Sequence, residues 1–116
     1  MVEEAFGRPH TDAHIPALCD VEIAAILRRA ILRHELSEGR AADAVIDLLD
    51  LPLIRHGHMG LLGRILRLRE NFFAYDASYV ALADQLDASL LTADAALVRA
   101  VRTHLRLPVV DASGAA

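Results

Sequence analysis

Four short apolar runs, each followed or preceded by a longer stretch with helical spacing, constrain this chain more than any other feature. The runs are His14-Ile15-Pro16-Ala17-Leu18, Leu51-Pro52-Leu53-Ile54, Ser89 to Thr92, and Leu107-Pro108-Val109-Val110. Between the first two, Ile23, Ile26, Leu27, Ala30 and Ile31 recur at helical intervals behind Asp20, a residue suited to cap a helix. Ser37 is a second cap, with Ala41, Ala42, Val45, Ile46, Leu48 and Leu49 as the apolar side of the helix it opens. Further helices are predicted over about Leu61 to Glu70, stopped by Asn71, over Asp76 to Leu86, and from a cap at Asp94 to about Thr103. Strands alternating with helices imply a parallel sheet covered on both faces, a three-layer α/β/α arrangement. No internal repeat or low-complexity linker divides the chain, so the expectation is one domain over residues 1–116.

Composition narrows the function classes. The chain has 116 residues, enough for one real core. The apolar fraction is 54%, yet no apolar run approaches the ~20 residues of a membrane helix, and no basic-then-apolar leader opens the chain. A lone cysteine, Cys19, fits a reducing compartment, and the expectation is a cytoplasmic protein with no membrane association. The net charge is -4, which is not the footprint of a general nucleic-acid binder. The twelve basic residues are all arginine, and they cluster: Arg28, Arg29, Arg33 and Arg40 with His34, then Arg55, Arg64, Arg67 and Arg69 with His56 and His58. Each group reads either as a solvated helix face or as a surface for RNA.

Three acids stand at helix starts: Glu22, Asp76 and Asp94. Singly, each reads as a cap or a partner of the helix dipole. Jointly they say more, because two follow strand candidates, and strand ends and helix starts line up along the ligand-binding edge of a parallel sheet. Carboxylates gathered there repel one another, and a divalent cation relieves the repulsion.

The segments Ala17-Leu18-Cys19-Asp20-Val21-Glu22-Ile23-Ala24 with Leu27-Arg28-Arg29, Ala74-Tyr75-Asp76-Ala77-Ser78-Tyr79-Val80-Ala81-Leu82-Ala83, and Leu90-Leu91-Thr92-Ala93-Asp94 resemble, in that order and spacing, PIN-domain ribonucleases of the VapC toxin type. The resemblance covers residues 13–111. It implies a PIN-like fold and an endoribonuclease that cleaves RNA phosphodiester bonds with Mg²⁺ or Mn²⁺. By the same resemblance Glu22, Asp76 and Asp94 are the catalytic and metal-binding acids, and Thr92 is a hydroxyl near the metal. It further implies a small antitoxin partner and a homodimer. Arg28, Arg29 and Tyr75 are candidate RNA contacts. Ala95 and Ala96 stand where some members carry a further acid. Nothing at the front matches the family's first strand and its Asp, so residues 1–12 read as the remnant of a preceding helix and loop, and 112–116 as a tail. The expectation is an N-terminally truncated fold, through a late start codon, a fragment or gene decay. An alternative follows from it: a non-catalytic module that keeps only antitoxin or dimer binding.

Other motifs carry less. His56-Gly57-His58 has no third ligand nearby and reads as a polar loop. Cys19 lacks an activating base and reads as a small packed residue. Tyr75 and Tyr79 read first as packing residues and second as stacking platforms.

Overall fold

The computed structural model describes residues 12–113, and the expectations for residues 1–11 and 114–116 lie outside them. The described residues form two compact units, 12–57 and 58–113.

Unit 12–57 runs strand β1 (Ala13–Pro16), helix α1 (Leu18–Leu32), helix α2 (Glu38–Asp50) and strand β2 (Leu53–His56). β1 and β2 pair in parallel, Ala13 with Leu53 through Pro16 with His56. The Ala17 N–H extends the ladder by donating to the His56 carbonyl at 2.7 Å. α2 starts where its sequence says: the Ser37 hydroxyl accepts from the Arg40 N–H at 3.2 Å. α1 starts earlier than expected, at Leu18, and Ala17 caps it with no side-chain bond. Asp20 is therefore inside the first turn and not a cap, because its carboxylate is held by Arg55 of β2. Only Pro16 and Ala41 are buried in this unit. The expected α1 stripe is half-covered at Ile23, Leu27, Ala30 and Ile31, and Ile26 is exposed. Val45, Ile46 and Leu49 of α2 also face out.

Unit 58–113 opens with a 3-10 turn (Met59–Leu61) that leads into a short helix, α3 (Leu62–Arg67). The predicted helix over Leu61 to Glu70 is thus shorter, and the chain turns from Leu68 to Asn71. Helix α4 (Ala74–Gln85), strand β3 (Leu90–Thr92), helix α5 (Ala95–His104) and strand β4 (Val109–Asp111) follow. β3 and β4 are parallel neighbours, with Thr92 opposite Asp111. α4 supplies the core: Ala77, Val80 and Val101 of α5 are fully covered, packed with Leu68, Phe72, Leu90 and Leu97. Ser78 is also fully buried, and its hydroxyl is satisfied by donating to the Tyr75 carbonyl at 2.5 Å.

Two helices end in the same way. His34 after α1 and Asp87 after α4 are the described non-glycine residues with positive φ, at 60° and 51°. The Glu35 N–H donates to the Ala30 carbonyl and the Ala88 N–H to that of Ala83, both at 2.9 Å. These are Schellman stops, built without the usual glycine. The chain is α/β with short parallel sheets, as a PIN-like fold requires. No helix among the described residues is long and apolar enough to cross a membrane.

Candidate active site

The C-terminal edge of the β3–β4 pair holds Thr92 and Asp111, with Asp94 just beyond it. After the Schellman stop at the end of α4 the chain enters β3, on which α4 packs. Asp76 lies in the first turn of α4. β3 ends in Thr92, and α5 starts two residues later behind Asp94.

Thr92 and Asp94 are directly joined. The Asp94 N–H donates to Thr92 Oγ1 at 3.1 Å, which fixes the turn from strand to helix. Asp94 Oδ1 then accepts from the N–H groups of Ala96 and Leu97 at 2.9 and 3.2 Å. The cap uses one carboxylate oxygen, so the structural role of Asp94 and a ligand role through Oδ2 are compatible. Asp76 is half-buried at a helix start, where the unsatisfied N–H groups favour negative charge. Tyr79, one turn on, packs against the core, whereas Tyr75 is 65% exposed beside Asp76, open to a stacking partner.

A further residue at this edge was not singled out from sequence. β4 runs one residue past the predicted Val110, and its last residue, Asp111, is registered opposite Thr92. The Ser113 hydroxyl donates to Asp111 Oδ1 at 2.5 Å and the Ser113 N–H at 2.9 Å. These bonds, hydroxyl first, hold the Asp111 pKa below the usual carboxylate value, and the charge of Arg102 helps. The signal was present: an acid directly after a short apolar run, the same pattern that marked Asp94.

Glu22 belongs to unit 12–57, half-buried in α1. The start of α1 is anchored by Arg55, whose Nε and a terminal nitrogen donate to the two Asp20 oxygens at 2.6 and 3.1 Å. This two-pronged bond raises the Arg55 pKa, and it commits an arginine of the sequence's second basic cluster to an intramolecular contact. Arg28 and Arg29 are exposed on α1. His56, read from sequence as part of a His-Gly-His loop, instead meets His14 across the strands, at 2.8 Å.

Among the described residues, no group of three or more His, Cys, Asp or Glu side chains stands close enough to hold a metal ion. The β3–β4 edge nonetheless offers carboxylate and hydroxyl oxygen, the hard donors that Mg²⁺ and Mn²⁺ take. Mg²⁺ is commonly held by one or two carboxylates with water completing its shell, so the donor set fits such an ion. A cleft of about 290 Å³ opens at the opposite end of the same sheet, between Arg64, Asp84, Asp87 and Arg106, and holds none of these acids.

Comparison with known proteins adds what geometry cannot. No family model matches the chain. It is 44% identical over 81 residues to the VapC ribonuclease Mb0985 of Mycobacterium bovis, a match covering 70% of this chain and 64% of that protein. It is 43% identical over 89 residues to ribonuclease VapC1 of Mycobacterium tuberculosis (76% and 67%), and 34% identical over 86 residues to ribonuclease VapC12 of the same species (74% and 67%). The chain thus spans about two thirds of the length of these relatives, slightly less for Mb0985. At such identity over that share of both chains, the α/β architecture and the acid-bearing strand edge find one common explanation: the chain belongs to the VapC ribonuclease family.

Proposed function

We propose that this chain is a metal-dependent endoribonuclease toxin that hydrolyses RNA phosphodiester bonds and is neutralised by a small antitoxin in the cytoplasm. The observation that supports the reading is the β3–α5 turn, where the Asp94 N–H donates to Thr92 Oγ1 and Asp94 stands at the start of α5. Asp76 and Asp94 are the proposed ligands of Mg²⁺ or Mn²⁺, and Glu22 is the third acid that the family resemblance assigns to catalysis. A divalent ion held there supplies Lewis acidity for phosphodiester hydrolysis. Thr92 holds the Asp94 backbone, and the cap bonds hold its side chain. Tyr75, Arg28 and Arg29 are exposed and suited to stack on bases or pair with phosphates. The outward apolar side chains of α1 and α2, among them Val21, Ile26 and Leu49, support a homodimer or antitoxin surface.

The test is cleavage of RNA by the purified chain with Mn²⁺, with EDTA, and in Asp76→Asn. The expected result is cleavage that EDTA and the substitution both abolish; cleavage without metal, or full activity in the variant, contradicts the reading. A second reading, a module that binds antitoxin without cutting RNA, is favoured by the lack of a three-ligand group among the described residues. It predicts antitoxin binding at full strength with no Mn²⁺ binding.

A further inference from the structure

His14 and His56 are 42 positions apart and meet across the paired strands β1 and β2. The parallel register sets His14 opposite Ile54, so His56, two residues further on, shares the same pleat face as a diagonal neighbour. Long side chains span that diagonal. His14 Nδ1 stands 2.8 Å from His56 Nε2, with the ring planes tilted by 35° and the centroids 5.0 Å apart. One ring donates an N–H to the lone pair of the other, the tautomer deciding which. Both rings are half-buried beside buried Pro16, so their directions are set by strand pairing and packing rather than by solvent. The proposed RNA chemistry, which rests on carboxylates, has no use for them.

Two imidazole nitrogens that already point at each other across paired strands are a short step from a chelate. An ion with metal–nitrogen bonds of about 2.0–2.1 Å needs its two nitrogens about 3.0–3.4 Å apart, depending on geometry. The pair has to open by only a few tenths of an ångström, with a ring rotation that aims both lone pairs at the ion. The backbone is already ordered, so little is lost in bringing the donors together. Imidazole nitrogen selects Zn²⁺, Ni²⁺ or Cu²⁺ and is a poor donor for Mg²⁺. The lack of a third protein ligand leaves the remaining positions to water.

We propose that His14 Nδ1 and His56 Nε2 form a two-histidine site for a borderline divalent ion such as Zn²⁺ or Ni²⁺, separate from the carboxylate site, which staples β1 to β2. The unit that contains it buries only Pro16 and Ala41, so a cross-link between its two strands acts where packing supplies least. An ion that binds only the folded form raises stability with its concentration.

Ni²⁺ is the probe, added to the full chain in excess Mg²⁺ so that oxygen sites are filled. Calorimetry should show one ion per chain, and the melting temperature should rise with Ni²⁺. His14→Gln and His56→Gln should each weaken binding by at least ~10-fold, while His58→Gln leaves it unchanged. If either glutamine variant is unfolded, the wild-type protein decides by NMR: substoichiometric Ni²⁺ should broaden the His14 and His56 imidazole signals before those of the other histidines. Equal affinity in wild type and folded variants, or His14 and His56 signals untouched at Ni²⁺ excess, would overturn the proposal and leave the pair as a hydrogen bond only.

Discussion

The two units use the same elements, parallel strands and packed helices, and stabilise them differently. Unit 58–113 rests on apolar burial, with Val80 and Val101 at 0% exposure. Unit 12–57 has little buried apolar surface and is tied by polar contacts: the Asp20–Arg55 fork and the His14–His56 bond both join an element of its first half to β2. Burial is non-directional and tolerates some drift, whereas a two-pronged ion pair and a ring-to-ring bond fix register and angle.

The sharpest way to break this contrast is a matched pair of truncations. Leu82→Ala removes a side chain at 3% exposure and should cost about 2–5 kcal/mol in urea unfolding. Leu49→Ala, at 65% exposure, should cost under about 0.5 kcal/mol. A loss at Leu49 as large as at Leu82 would show that the α2 face is covered in solution. Next come the ion pairs. Arg55→Gln breaks a two-pronged pair and should lower the urea midpoint measurably, though by less than Leu82→Ala. Arg64 Nε lies 3.5 Å from Asp84, too far for a good hydrogen bond, and Arg64→Gln should cost about half as much as Arg55→Gln or less. Equal losses in denaturant midpoint would erase the distinction between a tied and a packed unit.

The helix stops offer a smaller, symmetric test. His34→Gly and Asp87→Gly relieve a positive φ in the same motif, one in each unit, and each should stabilise by about 0.5 kcal/mol in thermal unfolding. A gain at only one site would show that the two stops do not carry equal strain. The smallest effect concerns Asp111, whose native pKa is depressed by Ser113. Its contribution is therefore present above the unfolded carboxylate pKa of about 4 and is lost as pH falls through the lower native value. Ser113→Ala should lower stability slightly at neutral pH, where the contribution is fully present, leave the strongly acid end unchanged, and so flatten the fall in stability across that acid window.

The strands and helices were legible because their apolar spacing is local. The β3–α5 turn was legible in detail, since Thr92 and Asp94 act on backbone within three residues. Strand edges were not. β2 lies two residues later than its apolar run, at Leu53–His56, because Pro52 follows the end of α2 and Arg55 and His56 take pleat positions despite their polarity. Asp20 was read as a cap because its competitor, Arg55, is 35 positions away. The His14–His56 pair was invisible for the same reason: it depends on which strands pair and in what register. Of the proposed site, residue identities came from sequence, while the hold of Thr92 on Asp94 and the place of Asp111 came from structure.

In the proposed function Asp94 serves as a cap through one oxygen and as a metal ligand besides. Asparagine keeps the cap and removes the charge. Mn²⁺ titration of the wild-type chain and of Asp94→Asn, with melting temperatures taken in EDTA, tests this directly. The expected result is unchanged melting without metal and Mn²⁺ affinity reduced at least ~10-fold in the variant. Equal Mn²⁺ affinity in two equally stable proteins would contradict it and leave Asp94 a helix cap alone.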